Sequence, residues 1–148
     1  LMWIGASPGS TGGGIKTTTL AIAVLNIRNT LLDRNRLEIF FRHIAYESVR
    51  KAFTIILLSV FFIGVITILI MFIEPGRTPL DLMFEVVSAM GTVGLSRNIT
   101  GLLGAGAKGL IIITMFVGRV GILTILYAFV RPVGEVHYKF PEENILVG

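Results

Sequence analysis

Long apolar runs alternate along this chain with short segments dense in charge and glycine. Ala52 to Ile73 holds no charged side chain, and at roughly 22 residues it has the length a helix needs to cross a bilayer. Glu74-Pro75-Gly76-Arg77 ends that run. Pro79 then suits the first turn of a short helix, with Asp81 placed against the positive end of the helix dipole. Leu80 to Met90 is too short to span, is interrupted by Glu85, and runs directly into Gly91-Thr92-Val93-Gly94. The pattern predicts a re-entrant helix followed by non-helical backbone, which is tolerated at membrane depth only where protein or a water-filled path surrounds it. The Gly/Ala-rich stretch Gly101 to Gly109 leads into a second apolar run, Gly109 to Val130, again about 22 residues long. Arg119 lies near its middle and Arg131-Pro132 closes it.

The first portion is less regular. Thr11 to Lys16 reads as a Gly-rich turn, and Thr17 to Ile27 is apolar enough for a helix, although Thr17-Thr18-Thr19 and Asn26 weaken it as a span. Leu37, Phe40, Phe41 and Ile44 recur at helical spacing and predict an amphipathic continuation. The tail, Val133 to Gly148, is mixed.

Composition agrees with a membrane protein: 53% of residues are hydrophobic and the mean hydropathy is +0.83. There is no cysteine, which excludes a disulfide framework or thiolate metal site, and His43 and His137 are too few for a His-rich centre. The net charge of +4 does not point to nucleic acid, because the basic residues flank apolar runs. Arg28, Arg34, Arg36, Arg42, Arg50 and Lys51 precede Ala52, and Arg131 and Lys139 follow the last run, whereas the Glu74 to Asp81 loop has one Arg and two acids. The positive-inside rule therefore puts the first group and the C-terminus in the cytoplasm. The chain starts on Leu1-Met2-Trp3 with no initiator methionine or signal peptide, and is expected to be part of a longer sequence continuing upstream.

Two segments carry the chemistry. Gly91-Thr92-Val93-Gly94-Leu95-Ser96 looks like the selectivity filter of a potassium pore. A dehydrated cation needs a ring of backbone carbonyl oxygens, and glycine lets the backbone aim them without side-chain obstruction. Ser7-Pro8-Gly9-Ser10-Thr11 is a cruder copy: setting Gly9 on Gly94 puts Ser7 on Thr92 and Thr11 on Ser96. The candidate potassium sites are thus the backbone carbonyls of Ser7, Pro8, Gly9 and Ser10, and of Thr92, Val93, Gly94 and Leu95, centred on Gly9 and Gly94. Two such segments suggest internal repeats of helix, pore loop and helix. The fold class expected is an all-α membrane protein carrying about one and a half of these repeats: filter loop and second helix at 1–36, connection at 37–51, a full repeat at 52–130 and a tail at 131–148. About four loops are needed around one ion, so the others must come from missing sequence or other subunits.

Arg119 is the most unusual side chain. A guanidinium at mid-membrane costs about 2.5–3.5 kcal/mol on insertion scales, so it should face a wet interior, where its charge could gate a cation, or meet a structural partner. Glu85 could attract cations or bond to neighbouring backbone, and the second role fits a filter that works through carbonyls. Gly9 to Lys16 approximates a phosphate-binding loop, but Ile15 intrudes before Lys16 and no strand pattern precedes it. Asn98-Ile99-Thr100 matches a glycosylation sequon, a pattern short enough to arise by chance.

Three strings in order, Gly-Ser-Thr-Gly-Gly-Gly-Ile-Lys at 9–16, Thr-Val-Gly-Leu-Ser at 92–96 and Val-Gly-Arg-Val-Gly at 117–121, resemble the Trk/Ktr/HKT superfamily of potassium transporters, and the ending Phe140-Pro141-Glu142-Glu143-Asn144-Ile145-Leu146-Val147-Gly148 resembles its KtrB branch. The resemblance implies four tandem repeats, of which the third and fourth lie here, with Gly9 and Gly94 as filter glycines. It further implies that Arg119 lies below the filter and meets an irregular intramembrane loop within Thr17 to Arg36. It implies a multi-pass subunit of the plasma membrane, a homodimer seated on a cytoplasmic nucleotide-binding ring (KtrA-like) and surrounded by lipid, with sodium coupling to potassium in many members. The rival readings are a membrane scaffold whose glycines pack helices and, more weakly, a membrane enzyme, for which the sequence offers no metal motif, nucleophile–base pair or cofactor fingerprint.

Overall fold

The computed structural model describes residues 2–5, 7, 12–32, 38–39, 42–43 and 46–129. Among the described residues five helices dominate: α1 (Thr17–Leu31), α2 (Tyr46–Ile73), α3 (Pro79–Gly91), α4 (Ala105–Val120) and α5 (Ile122–Phe129), with one 3₁₀ turn at Thr100–Leu102. The departure from an all-helical chain is a two-residue antiparallel ribbon, β1 (Glu38–Ile39) with β2 (Arg42–His43), pairing Glu38 with His43 and Ile39 with Arg42. The predicted amphipathic helix is therefore not found at these four residues. A few apolar positions over so short a stretch do not repay the cost of nucleating a helix. Leu37, Phe40, Phe41 and Ile44 themselves lie outside the described residues.

α2 begins at Tyr46, earlier than the charge-free run suggests. Its first turns are polar, and Glu47 and Lys51 sit one turn apart at 3.9 Å, so the charge-free run marks only part of the helix. Glu47–Ile73 is long and apolar enough to cross a membrane, and only 28% of its most apolar window is buried within the chain. A soluble core helix would be mostly buried; here Leu57, Phe61, Ile68 and Phe72 point outward, as they would toward lipid or neighbouring helices. The opposite face, with Ile63, Ile66 and Ile70, meets Leu82, Val86, Ala89 and Met90 of α3 and Ala107 and Ile111 of α4 in one core. Buried hydroxyls bond back to their own helices, Thr67 Oγ1 to the Ile63 carbonyl at 2.7 Å and Thr114 Oγ1 to that of Leu110 at 2.8 Å, which removes the cost of burying them.

α3 is the short helix that the sequence predicts. Thr78 caps it, accepting from the Asp81 N–H at 3.3 Å, and Pro79 occupies its first turn. At the far end the Thr92 N–H bonds the Ala89 carbonyl and the Val93 N–H bonds that of Ser88, a Schellman closure. Thr92 takes the left-handed position, φ 52°, usually given to glycine.

The second apolar run does not form one straight span. α4 starts at Ala105 and stops at Val120, and α5 departs at 93°. The break is at Gly121, φ 93°, a conformation disfavoured for any residue with a Cβ. Hydropathy continues through the break, which is why an apolar run alone cannot register it. α1, by contrast, is continuous over Thr17–Leu31. The irregular loop implied by the resemblance does not interrupt it, and 33–36, the end of the interval considered, lies outside the described residues.

Candidate functional site

The site is built where the C-terminal end of α3, the N-terminal loop and α4 converge. Glycines permit the convergence. A Cβ on Gly118 of α4 would lie 2.0 Å from the Met90 carbonyl oxygen, and one on Gly91 would lie 2.4 Å from that of Met2. Without a strong hydrophobic drive between helices in lipid, such backbone proximity is what holds membrane segments together. The N-terminal loop is stitched by Gly5 N–H to the Ile15 carbonyl at 2.7 Å and Ile15 N–H to that of Trp3 at 3.2 Å. It docks through Gly13 N–H, which donates to Thr92 Oγ1 at 2.9 Å, and Gly14 N–H, which donates to the Gly118 carbonyl at 3.3 Å. The amides of Gly13, Gly14 and Ile15 are thus bonded within the protein rather than turned toward an anion, which argues against the phosphate-loop reading of Gly9 to Lys16.

From Val93 the backbone is neither helix nor strand through Arg97, and it takes left-handed turns at Thr92 and Gly94. Its inner side rests on the packing just described. Its other side is open: a Cβ on Gly94, φ 80°, would meet nothing within 4 Å, and Val93 and Leu95 are 44% and 54% exposed. Among the described residues no backbone N–H is bonded to the carbonyls of Thr92, Val93, Gly94 or Leu95. Four successive carbonyls thus accept from no described backbone N–H.

Beyond Leu95 the chain is fastened again, by Glu85. This carboxylate, 5% exposed in the middle of α3, accepts from Ser96 Oγ and from the Arg97 N–H (2.9 Å) on one oxygen, and from Thr100 Oγ1 (2.7 Å) on the other. The hydroxyls of Ser96 and Thr100 are 2.8 Å apart, and the Asn98 N–H donates to Ser96 Oγ at 3.1 Å. Arg97 pairs outside with Asp81. Glu85 therefore bonds to neighbouring backbone and hydroxyls, the structural alternative raised from the sequence. Ser96, Thr100 and Asp81 complete a cluster that sequence reading missed. Its signal is a lone acid within an apolar helix followed by two hydroxyls just past the glycine string. Glu74 performs a parallel task, accepting from the Gly104 N–H at 2.6 Å and so anchoring the start of α4.

Of the other predicted residues, Ser7 is exposed, while Pro8, Gly9 and Ser10 lie outside the described residues. Arg119 is exposed, next to buried Gly118 and two residues from the bend at Gly121. It forms no ion pair with another described residue. Among the described residues no group of three or more His, Cys, Asp or Glu could hold a metal ion.

A long apolar helix, a short helix that ends in open irregular backbone, and a returning apolar helix define a membrane protein of re-entrant-loop type. The family model for cation transport proteins, TrkH, matches residues 1–137, and the chain belongs to that family. It is 39% identical over its whole length to the Ktr system potassium uptake protein D of Bacillus subtilis, 37% to the potassium/sodium uptake protein NtpJ of Enterococcus hirae and 36% to the Ktr system potassium uptake protein B of Vibrio alginolyticus. The chain spans about a third of the length of these relatives, 33%, 34% and 32% respectively. In fold it matches the crystal structure of the potassium transporter TrkH from Vibrio parahaemolyticus, with a TM-score of 0.73 at 20% identity, over 87% of this chain and 29% of that one.

Proposed function

We propose that this chain is part of a membrane subunit that translocates potassium ions, and that Thr92, Val93, Gly94 and Leu95 form one wall of its filter. The observation that carries the reading is the row of carbonyls to which no described backbone N–H is bonded, on an irregular segment whose outer side is open at Gly94. Backbone oxygens replacing a hydration shell require that arrangement. The names of the relatives support the cargo: three are potassium uptake proteins, one of them potassium/sodium.

The finer reading extends this. Ser7, Pro8, Gly9 and Ser10 supply a second wall, further repeats complete the ring, and sodium accompanies potassium. Arg119 stands below the filter as a charge barrier to cations. Two copies of the full subunit assemble in the plasma membrane on a cytoplasmic nucleotide-binding ring (KtrA-like), with the C-terminus on that side. The decisive test is potassium uptake in a transport-deficient bacterium, comparing the full-length protein with its Gly94→Ser variant at low external potassium. The expected result is weaker potassium affinity at normal membrane abundance. Equal affinity would remove Gly94 from the filter.

A further inference from the structure

Glu85 is buried and polar, and carbonyl-based translocation does not itself require it. Its two oxygens collect three donors from the five residues that follow Leu95: Ser96 Oγ, the Arg97 N–H and Thr100 Oγ1. The other end of the open segment is fixed independently, by the Schellman closure at Thr92 and by Gly13 on Thr92 Oγ1. Between these anchors no described backbone N–H is bonded to the carbonyls of Thr92 to Leu95. A free strand loses carbonyl alignment unless both ends are pinned, because each residue retains two soft dihedrals.

We propose that Glu85 is a positioning residue for cation selection: it fixes the exit of the Thr92–Leu95 segment from behind, through Ser96, Arg97 and Thr100. The inference rests on the filter reading given above. The geometry distinguishes it from a general helix-packing role. All three bonds end on the segment just beyond the filter, none on α2 or α4, and the Arg97 side chain turns away to Asp81. Loss of Glu85 should therefore leave the helices packed and disturb the filter.

The test uses the full-length transporter in a bacterium lacking its own potassium uptake, and measures potassium affinity and the inhibition of uptake by sodium. Glu85→Gln keeps the volume but weakens the three-donor acceptance. The expected result is a loss of roughly fivefold in preference for potassium over sodium, the scale of one lost hydrogen bond, at unchanged membrane abundance. Thr100→Val should give a smaller loss on its own and add little in the Glu85→Gln background, since both act through one contact set. If Glu85→Gln does not reach the membrane, Thr100→Val carries the test. Unchanged preference in the variant that is measured, while Gly94→Ser does alter preference, overturns the role of Glu85 and leaves the filter standing. Unchanged preference in Gly94→Ser as well removes the filter reading and this proposal with it.

Discussion

The two sides of the Thr92–Leu95 segment are built in opposite ways. Behind it, at Gly13, Gly91 and Gly118, backbones approach so closely that an added methyl would meet an atom within 3 Å. In front, at Gly94, an added methyl would meet nothing. Both sides use glycine, but for different physical reasons: steric room behind, a left-handed backbone in front. The same substitution should therefore cause misassembly on one side and faulty selection on the other.

The largest expected effect is at the back. Gly118→Ala places its Cβ against the Met90 carbonyl, and backbone cannot give way as a side-chain tip can. We expect about 3 kcal/mol or more of destabilisation, read as loss of folded protein in a detergent melting assay. Survival of Gly118→Ala at wild-type abundance would break the contrast. Next is Gly94→Ser, with abundance retained and potassium affinity lowered roughly tenfold or more, on the premise that carbonyl geometry sets binding. Arg119→Ala tests the proposed barrier charge beside Gly118: if that charge gates, flux should rise severalfold at constant affinity, and unchanged uptake would remove the gate. Thr92→Val keeps the β-branch but leaves the Gly13 N–H unpaired, a cost of about 1–3 kcal/mol, visible as a lower melting temperature. Gly64→Ala, in α2 with nothing within 4 Å of its added Cβ, should be neutral or stabilising by up to about 1 kcal/mol.

The long elements were legible because their signals are local. The charge-free run up to Ile73, Pro79 with Asp81, and the glycine string each announce themselves within a few residues. The bend at Gly121 was not legible, since the hydropathy on either side is the same and a lone glycine in a membrane helix has several uses. Which residues Gly13 and Gly118 would meet was equally hidden, because those partners are remote in sequence. Glu85 falls between: its burial could be anticipated from its place on an apolar helix, but the three donors depend on how the chain turns after Leu95. Arg119 stood out by sequence, and the structure adds its exposure and the adjoining bend.

The hydrogen bond from Gly13 to Thr92 joins residues 79 apart, whereas that from Gly104 to Glu74 joins residues 30 apart. Loop closure is less costly for the shorter separation, so α2, α3 and α4 can assemble from near neighbours once α4 has left the ribosome. The loop that includes Gly13 is synthesised before Thr92 and Gly118, the residues that its Gly13 and Gly14 amides bond. Its docking comes late, and in this part of the chain the order of assembly runs against the order of synthesis.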